Sequence, residues 1–220
     1  MKTVLILGSS PFPEFEETLR VYNPEIWCLN KTKPPREYHR WFQLHSFKHM
    51  VKAHGEEYLD KLFKCPVPLV LFPREAEKWA SLREVIPYPV DAALKLAGRP
   101  YFDGSFAWMI AMAILEGYDR IILGGLSLGE DVKKLWQNRL LAAEWLEDHD
   151  PKRDVRQVVN NLRGVFSGDE SWAIPCIAYF LGLAQGRGIE TLVIGDQHGL
   201  FFNKWGDGAL YGYDPRAGGE

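Results

Sequence analysis

The segment TVLILG, residues 3–8, is apolar without a break and stops at a glycine. A strand with that pattern has no solvent face, so it belongs inside a sheet covered on both sides. EIWCLN (25–30), RWFQLH (40–45), PVPLVLF (66–72), RIILGG (120–125) and ETLVIG (190–195) read as further strands. Helical patterns fall between them: after the glycine–serine turn at 8–10, over 47–63, at 105–116, around 130–147 and over 171–186. The stretch 74–98 reads as short helices with proline breaks. Strands alternating with helices build right-handed crossovers and a parallel sheet. The expectation is a three-layer, Rossmann-like α/β fold with a mostly parallel sheet of about six strands and helices on both faces. A single domain over 1–220 accommodates it, with 148–170 as a lid or an irregular insertion.

Composition narrows the function. The net charge of −3 argues against non-specific attraction to nucleic acid or anionic lipid. The apolar run at 105–115 is too short for a bilayer, and no basic lead precedes the first strand. Cys28, Cys65 and Cys176 are odd in number and widely spaced, as in a reducing compartment. A cytoplasmic protein is expected. Eight tryptophans are accounted for first by core and interface packing, and a homo-oligomer is left open.

In a parallel sheet, ligands bind beyond the carboxyl ends of the strands, where neighbouring crossovers leave toward opposite faces. A helix leading into such a strand begins on that same rim. Two seams there suit an anion. Gly8-Ser9-Ser10 follows the first buried strand and offers amides and hydroxyls. Asp103-Gly104-Ser105 opens the helix GSFAWMIAMAIL, whose first amides and positive dipole end favour a phosphate. The structural alternative is an N-cap serine beside a permissive glycine, with nothing bound. Neither G-x-G-x-x-G nor G-x-x-x-x-G-K-[ST] occurs. His45 closes the third strand, where a general acid or base would stand; Asp103 is the next candidate. Asn30 ends the second strand and suits a ribose or base contact, or simply a turn. His39, His49, His54 and His149 look solvated. No spacing demands a metal.

GLSLG (125–129) matches the nucleophile elbow G-x-S-x-G, with Asp196 and His198 downstream of Ser127. The charged sequence after it, the two-residue Asp–His spacing and the lack of an HGGG-like oxyanion segment all speak against an α/β serine hydrolase.

TVLILGSSP, WCLN, HRWFQLH, GSFAWMIAMAILEGYDRIILGGLSL, AYFLGLAQGRGIETLVI and the closing YGYD together resemble small Rossmann-like proteins of tailed phages. That group is similar in turn to the archaeal 6-hydroxymethylpterin diphosphokinase (MptE-like) family and to bacterial sialyltransferase-like enzymes. The resemblance implies a nucleotide-dependent transferase, most plausibly glycosyltransferase-like, using a nucleotide sugar or nucleoside triphosphate in the host cytoplasm. It assigns Gly8 and Ser9 to the first nucleotide loop, Asn30 to the second-strand asparagine, and Gly104 with Ser105 to the phosphate-facing helix start. Relatives usually carry an aspartate or histidine at the position of Ser127. Its loss weighs against Mg²⁺-assisted pyrophosphoryl transfer, which needs carboxylate oxygens around the ion. Glycosyl transfer without a metal, or nucleotide binding without chemistry, is less affected.

Overall fold

The computed structural model describes residues 1–8, 10–29, 38–81, 83–98, 102, 104–126 and 173–194. Seven strands form one sheet: β1 (Thr3–Leu7), β2 (Glu25–Leu29), β3 (Arg40–Gln43), β4 (Leu69–Leu71), β5 (Val85–Pro87), β6 (Arg120–Gly124) and β7 (Glu190–Val193). Their order is β5-β4-β3-β2-β1-β6-β7, and every adjacent pair is parallel. The described helices are α1 (Phe15–Tyr22), α2 (Phe47–His54), α3 (Glu57–Lys64), α4 (Pro73–Trp79), α5 (Val90–Ala97), α6 (Gly104–Leu115) and α7 (Ala173–Gln185). This is the Rossmann-like α/β architecture expected from the alternating pattern.

Two expectations need correction. The stretch 74–98 contributes a seventh strand, β5, between α4 and α5. Three residues ending at a proline leave little strand pattern, and an edge strand tolerates a residue that cannot donate to the ladder. The helical stretch over 47–63 is two helices, divided at Gly55, whose φ of 78° no helix sustains.

The period of two along β1 distributes its side chains to both faces. Val4 and Ile6 join the cluster built on α5, α6 and α7, while Leu5 and Leu7 pack on the α1 side. Farther out on the α1 side, Trp41 and Leu71 meet Phe47, Met50, Tyr58 and Leu62 of α2 and α3. Helix α6 explains its own composition. Ala107 and Met109 through Ile114 are all buried, because α5 and α7 flank it and the sheet lies beneath. It therefore needs no polar face.

The amino edge of the sheet is closed by a polar network. Arg40 pairs with Glu25 at 2.9 Å and with Glu116 at 2.6 Å, and it lies over the Trp27 ring. Glu25 also accepts from Trp27 Nε1 at 2.8 Å and from the Tyr118 hydroxyl. His39, expected to be solvated, accepts the Ile26 amide through Nδ1 at 3.0 Å and so helps start β2. Burial works against the Glu25 charge. The hydrogen bonds from Tyr118 and Trp27, with the charges of Arg40 and His39, outweigh it and hold the carboxyl below its ordinary value.

Because the folded-state value is depressed, Glu25 stabilises the fold fully above its unfolded value. That contribution is lost as pH falls through the folded value. Urea titrations from pH 7 down to pH 3 should show stability declining with acid, and less steeply in Glu25→Gln. At pH 7 the substitution should cost about 1.5–3 kcal/mol, the worth of hydrogen bonds to a charged group.

Candidate functional site

The strand order reverses beside β1. From β1 the chain steps outward through β2, β3, β4 and β5, then α6 carries it back to β6 on the other side of β1. Helix α1 leaves β1 toward one face, and α7 enters β7 from the other. The carboxyl ends of β1 and β6 therefore flank the topological switch point, the place where ligands bind in open parallel sheets.

Three glycines let the two strand ends come together there. The Gly8 amide donates to the Gly124 carbonyl at 2.8 Å, and the Ser10 amide to the Gly125 carbonyl at 3.0 Å. A Cβ on Gly8 would fall well under 3.0 Å from the Gly125 carbonyl oxygen and 3.0 Å from the Phe106 ring. A Cβ on Gly124 would stand 2.7 Å from the Phe12 ring. Gly125 combines a φ of +64° with a would-be Cβ 2.8 Å from the Ser10 carbonyl oxygen. Side chains at these positions would wedge the two turns apart.

The same contacts place the start of α6. Phe106, half-buried against the α6-side core, reaches the Gly8 backbone, so the Gly104–Ser105 turn and the β1 turn share one corner of the rim. Gly104 has a φ of 74°, which an L side chain adopts only with strain, and it is exposed. The Phe106 ring, carried by the first turn of α6, thus stands beside Gly8 at the end of β1. The Gly8 and Ser10 amides already serve β6 carbonyls. Ser9, Asn30, Asp103 and Ser127 lie outside the described residues, as do Asp196, His198, the segment 148–170 and the C-terminal tail.

His45 lies on the same edge but elsewhere. It is exposed, two residues beyond the end of β3, with its ring 5.4 Å from that of His49 on α2. Two strand spacings separate β3 from β1, about 10 Å along the rim. Helix α2 packs on the α1 side of the sheet, whereas Phe106 and Gly8 meet on the α6 side. Beyond β3, at the ends of β4 and β5, the rim is aromatic on the α6 side. Phe72, Tyr88 and Trp108 meet edge to face, Phe102 stacks on Trp108 at 3.6 Å, and the Tyr88 hydroxyl donates to the Trp108 carbonyl. This aromatic corner carried no sequence signal beyond the general abundance of rings.

Other chemistries find little support among the described residues. All three cysteines are buried, and burial, reinforced by nearby Cys65, pushes the Cys28 thiol up to about 12. No cluster of three or more histidine, cysteine or acidic side chains could hold a metal ion among the described residues. No described helix is long and apolar enough to cross a membrane.

Comparison with known proteins agrees with this architecture. No family model matches the chain, and no curated protein does. Among solved structures, the chain is similar to the sialyltransferase CST-II in complex with a trisaccharide acceptor and CMP, with a TM-score of 0.52 and 14% identity over 92% of this chain and 85% of that one. It is equally similar to CstII from Campylobacter jejuni in complex with the substrate analogue CMP-3FNeuAc, with a TM-score of 0.52 over 92% and 86% of the two chains. The likeness establishes a shared fold.

The glycine contacts can be measured. Gly125→Ala should cost roughly 2–5 kcal/mol in chemical denaturation, combining left-handed strain with overpacking. Gly98→Ala, with a φ of +70° and open space around its would-be Cβ, should cost only about 1–2 kcal/mol. Equal losses at the two sites would refute the crowding argument.

Proposed function

We infer that this chain is a nucleotide-dependent transferase of the glycosyl-transfer type, taking a nucleotide sugar as donor. The observation that carries the reading is the approach of Phe106, in the first turn of α6, to Gly8 at the switch point of the sheet. The fold shared with CMP-bound sialyltransferases supports it. The nucleotide phosphate would lie against Gly8–Ser10 and the first amides of α6 at Gly104 and Ser105, where the helix end offsets its charge. Asn30 would contact the ribose or base, and Ser127 the phosphate from the β6 side.

In the proposed reaction an acceptor hydroxyl attacks the anomeric carbon as the bond from that carbon to the nucleotide phosphate oxygen breaks. The hydroxyl proton passes to a general base, and the leaving nucleotide takes the electron pair. His45 is the favoured base, with Asp103 the next candidate. The strand that leads to His45 lies two strand spacings, about 10 Å, from β1, so His45 would meet the far end of an extended donor–acceptor pair. No metal is required by this scheme, since helix amides and hydroxyls can stabilise the leaving phosphate. Mg²⁺ would serve a triphosphate donor instead.

Two measurements test the reading. A thermal-shift screen of CMP, other nucleotides and their sugar conjugates should identify a stabilising ligand, worth about 2.7 kcal/mol at one hundred times its dissociation constant. With that donor, His45→Ala should lower turnover by about 10²–10⁴ without abolishing donor binding. Stabilisation by a nucleotide sugar that remains intact with every acceptor offered would favour a nucleotide-binding protein without transfer activity. No response to any nucleotide would sink both.

A further inference from the structure

Gln43 is the last residue of β3 and only 1% exposed, in a layer otherwise built from Trp41, Leu71, Met50 and Leu62. A primary amide in such surroundings costs free energy unless both of its ends are engaged. Here both are. Its Oε1 accepts from the Tyr58 hydroxyl of α3 at 2.8 Å, and its Nε2 donates to the backbone carbonyl of His45 at 3.3 Å. Tyr58 is itself buried, and burial pushes its hydroxyl well above the ordinary range, so it remains a donor. The amide therefore ties a helix packed on the sheet to the turn that carries an exposed histidine. The far side of that turn is held as well, because Ser46 caps α2 by accepting the His49 amide at 3.3 Å. The His45 and His49 rings, 5.4 Å apart and tilted by 30°, stand on a backbone fixed at both ends.

An apolar side chain of the same length would fill this space but would take away the Tyr58 hydroxyl's acceptor and the His45 carbonyl's donor, so the glutamine is there for its two hydrogen bonds and not for its volume. We propose that Gln43 and Tyr58 are positioning residues for His45: the amide carries the rigidity of α3 into the rim turn and sets the direction from which the imidazole meets the acceptor. This inference rests on the reading of His45 as the general base. Neither residue touches substrate, and each acts only through the carbonyl of His45. The constraint belongs to the protein alone and is formed whether or not any ligand is bound.

The test uses the full-length protein with two substitutions, Tyr58→Phe, which removes one hydroxyl, and Gln43→Met, which removes both hydrogen bonds at nearly constant length. In each, the carbon-bound imidazole signals of His45 and His49 should shift or broaden in nuclear magnetic resonance spectra, while histidines away from this turn keep their positions. Turnover with a transferred donor should fall about ten- to hundredfold, the usual consequence of misplacing a reacting group by an ångström, with KM for the donor within about twofold. In the parent protein, the Gln43 side-chain amide protons should exchange slowly and show proximity to the Tyr58 ring. Unchanged His45 signals in both variants, or a freely exchanging Gln43 amide in the parent, overturns the proposal. The amide measurement decides even where a variant does not fold. If the imidazole signals respond but His45→Ala leaves turnover intact, the positioning stands and the catalytic reading of His45 fails.

Discussion

The pairing of β1 with β6 is the constraint on which the rest of the molecule depends. It joins the two halves of the sheet in register from Thr3 opposite Arg120 to Leu7 opposite Gly124. It also requires the chain to return from the far edge through α6. At the carboxyl end the backbones approach so closely that Gly8 and Gly125 have no room for a Cβ, and the Phe12 ring fills the space beside Gly124. The glycines that a phosphate-binding reading would assign to ligand access are thus already needed by the protein itself. Both roles act through the same property, a main chain without side chains in the way.

The two edges of the sheet divide the work. At the amino edge, charged and aromatic groups satisfy one another: Arg40 between two glutamates, Lys2 over the Tyr118 ring with its ammonium on the Glu116 carbonyl, and Arg120 against Glu190. Such an edge locks strands in place and offers little to a visitor. The carboxyl edge has short turns, left-handed glycines, half-buried rings and an exposed histidine pair. The polar network is concentrated at one end, and the other is the end at which parallel sheets with opposed crossovers bind ligands.

Much of this was legible in the residues. The uninterrupted apolar runs of β1 and β6 announce strands buried on both faces, and the all-round apolarity of GSFAWMIAMAIL announces a helix buried on every side. Position along a parallel sheet then singled out the turn after β1 without any motif, and the structure puts it beside the switch point. Strand β5 was illegible, since three residues ending at Pro87 carry too little periodicity to stand out among proline-broken helices. The role of Gln43 was hidden for another reason. Its partners, Tyr58 and the carbonyl of His45, belong to elements whose approach only the packed structure defines. His39 is exposed as its polar surroundings suggest, but nothing in the sequence announces the backbone amide of Ile26 that it accepts.

The burial of α6 has a mechanical consequence. Flanked by α5 and α7, with the sheet beneath and Phe106 against Gly8, this helix has no free volume into which it could slide or tilt. Moving its buried length from Ala107 to Ile114 would mean moving two helices and the sheet with it, so the helix is anchored from behind and leaves its first turn toward solvent.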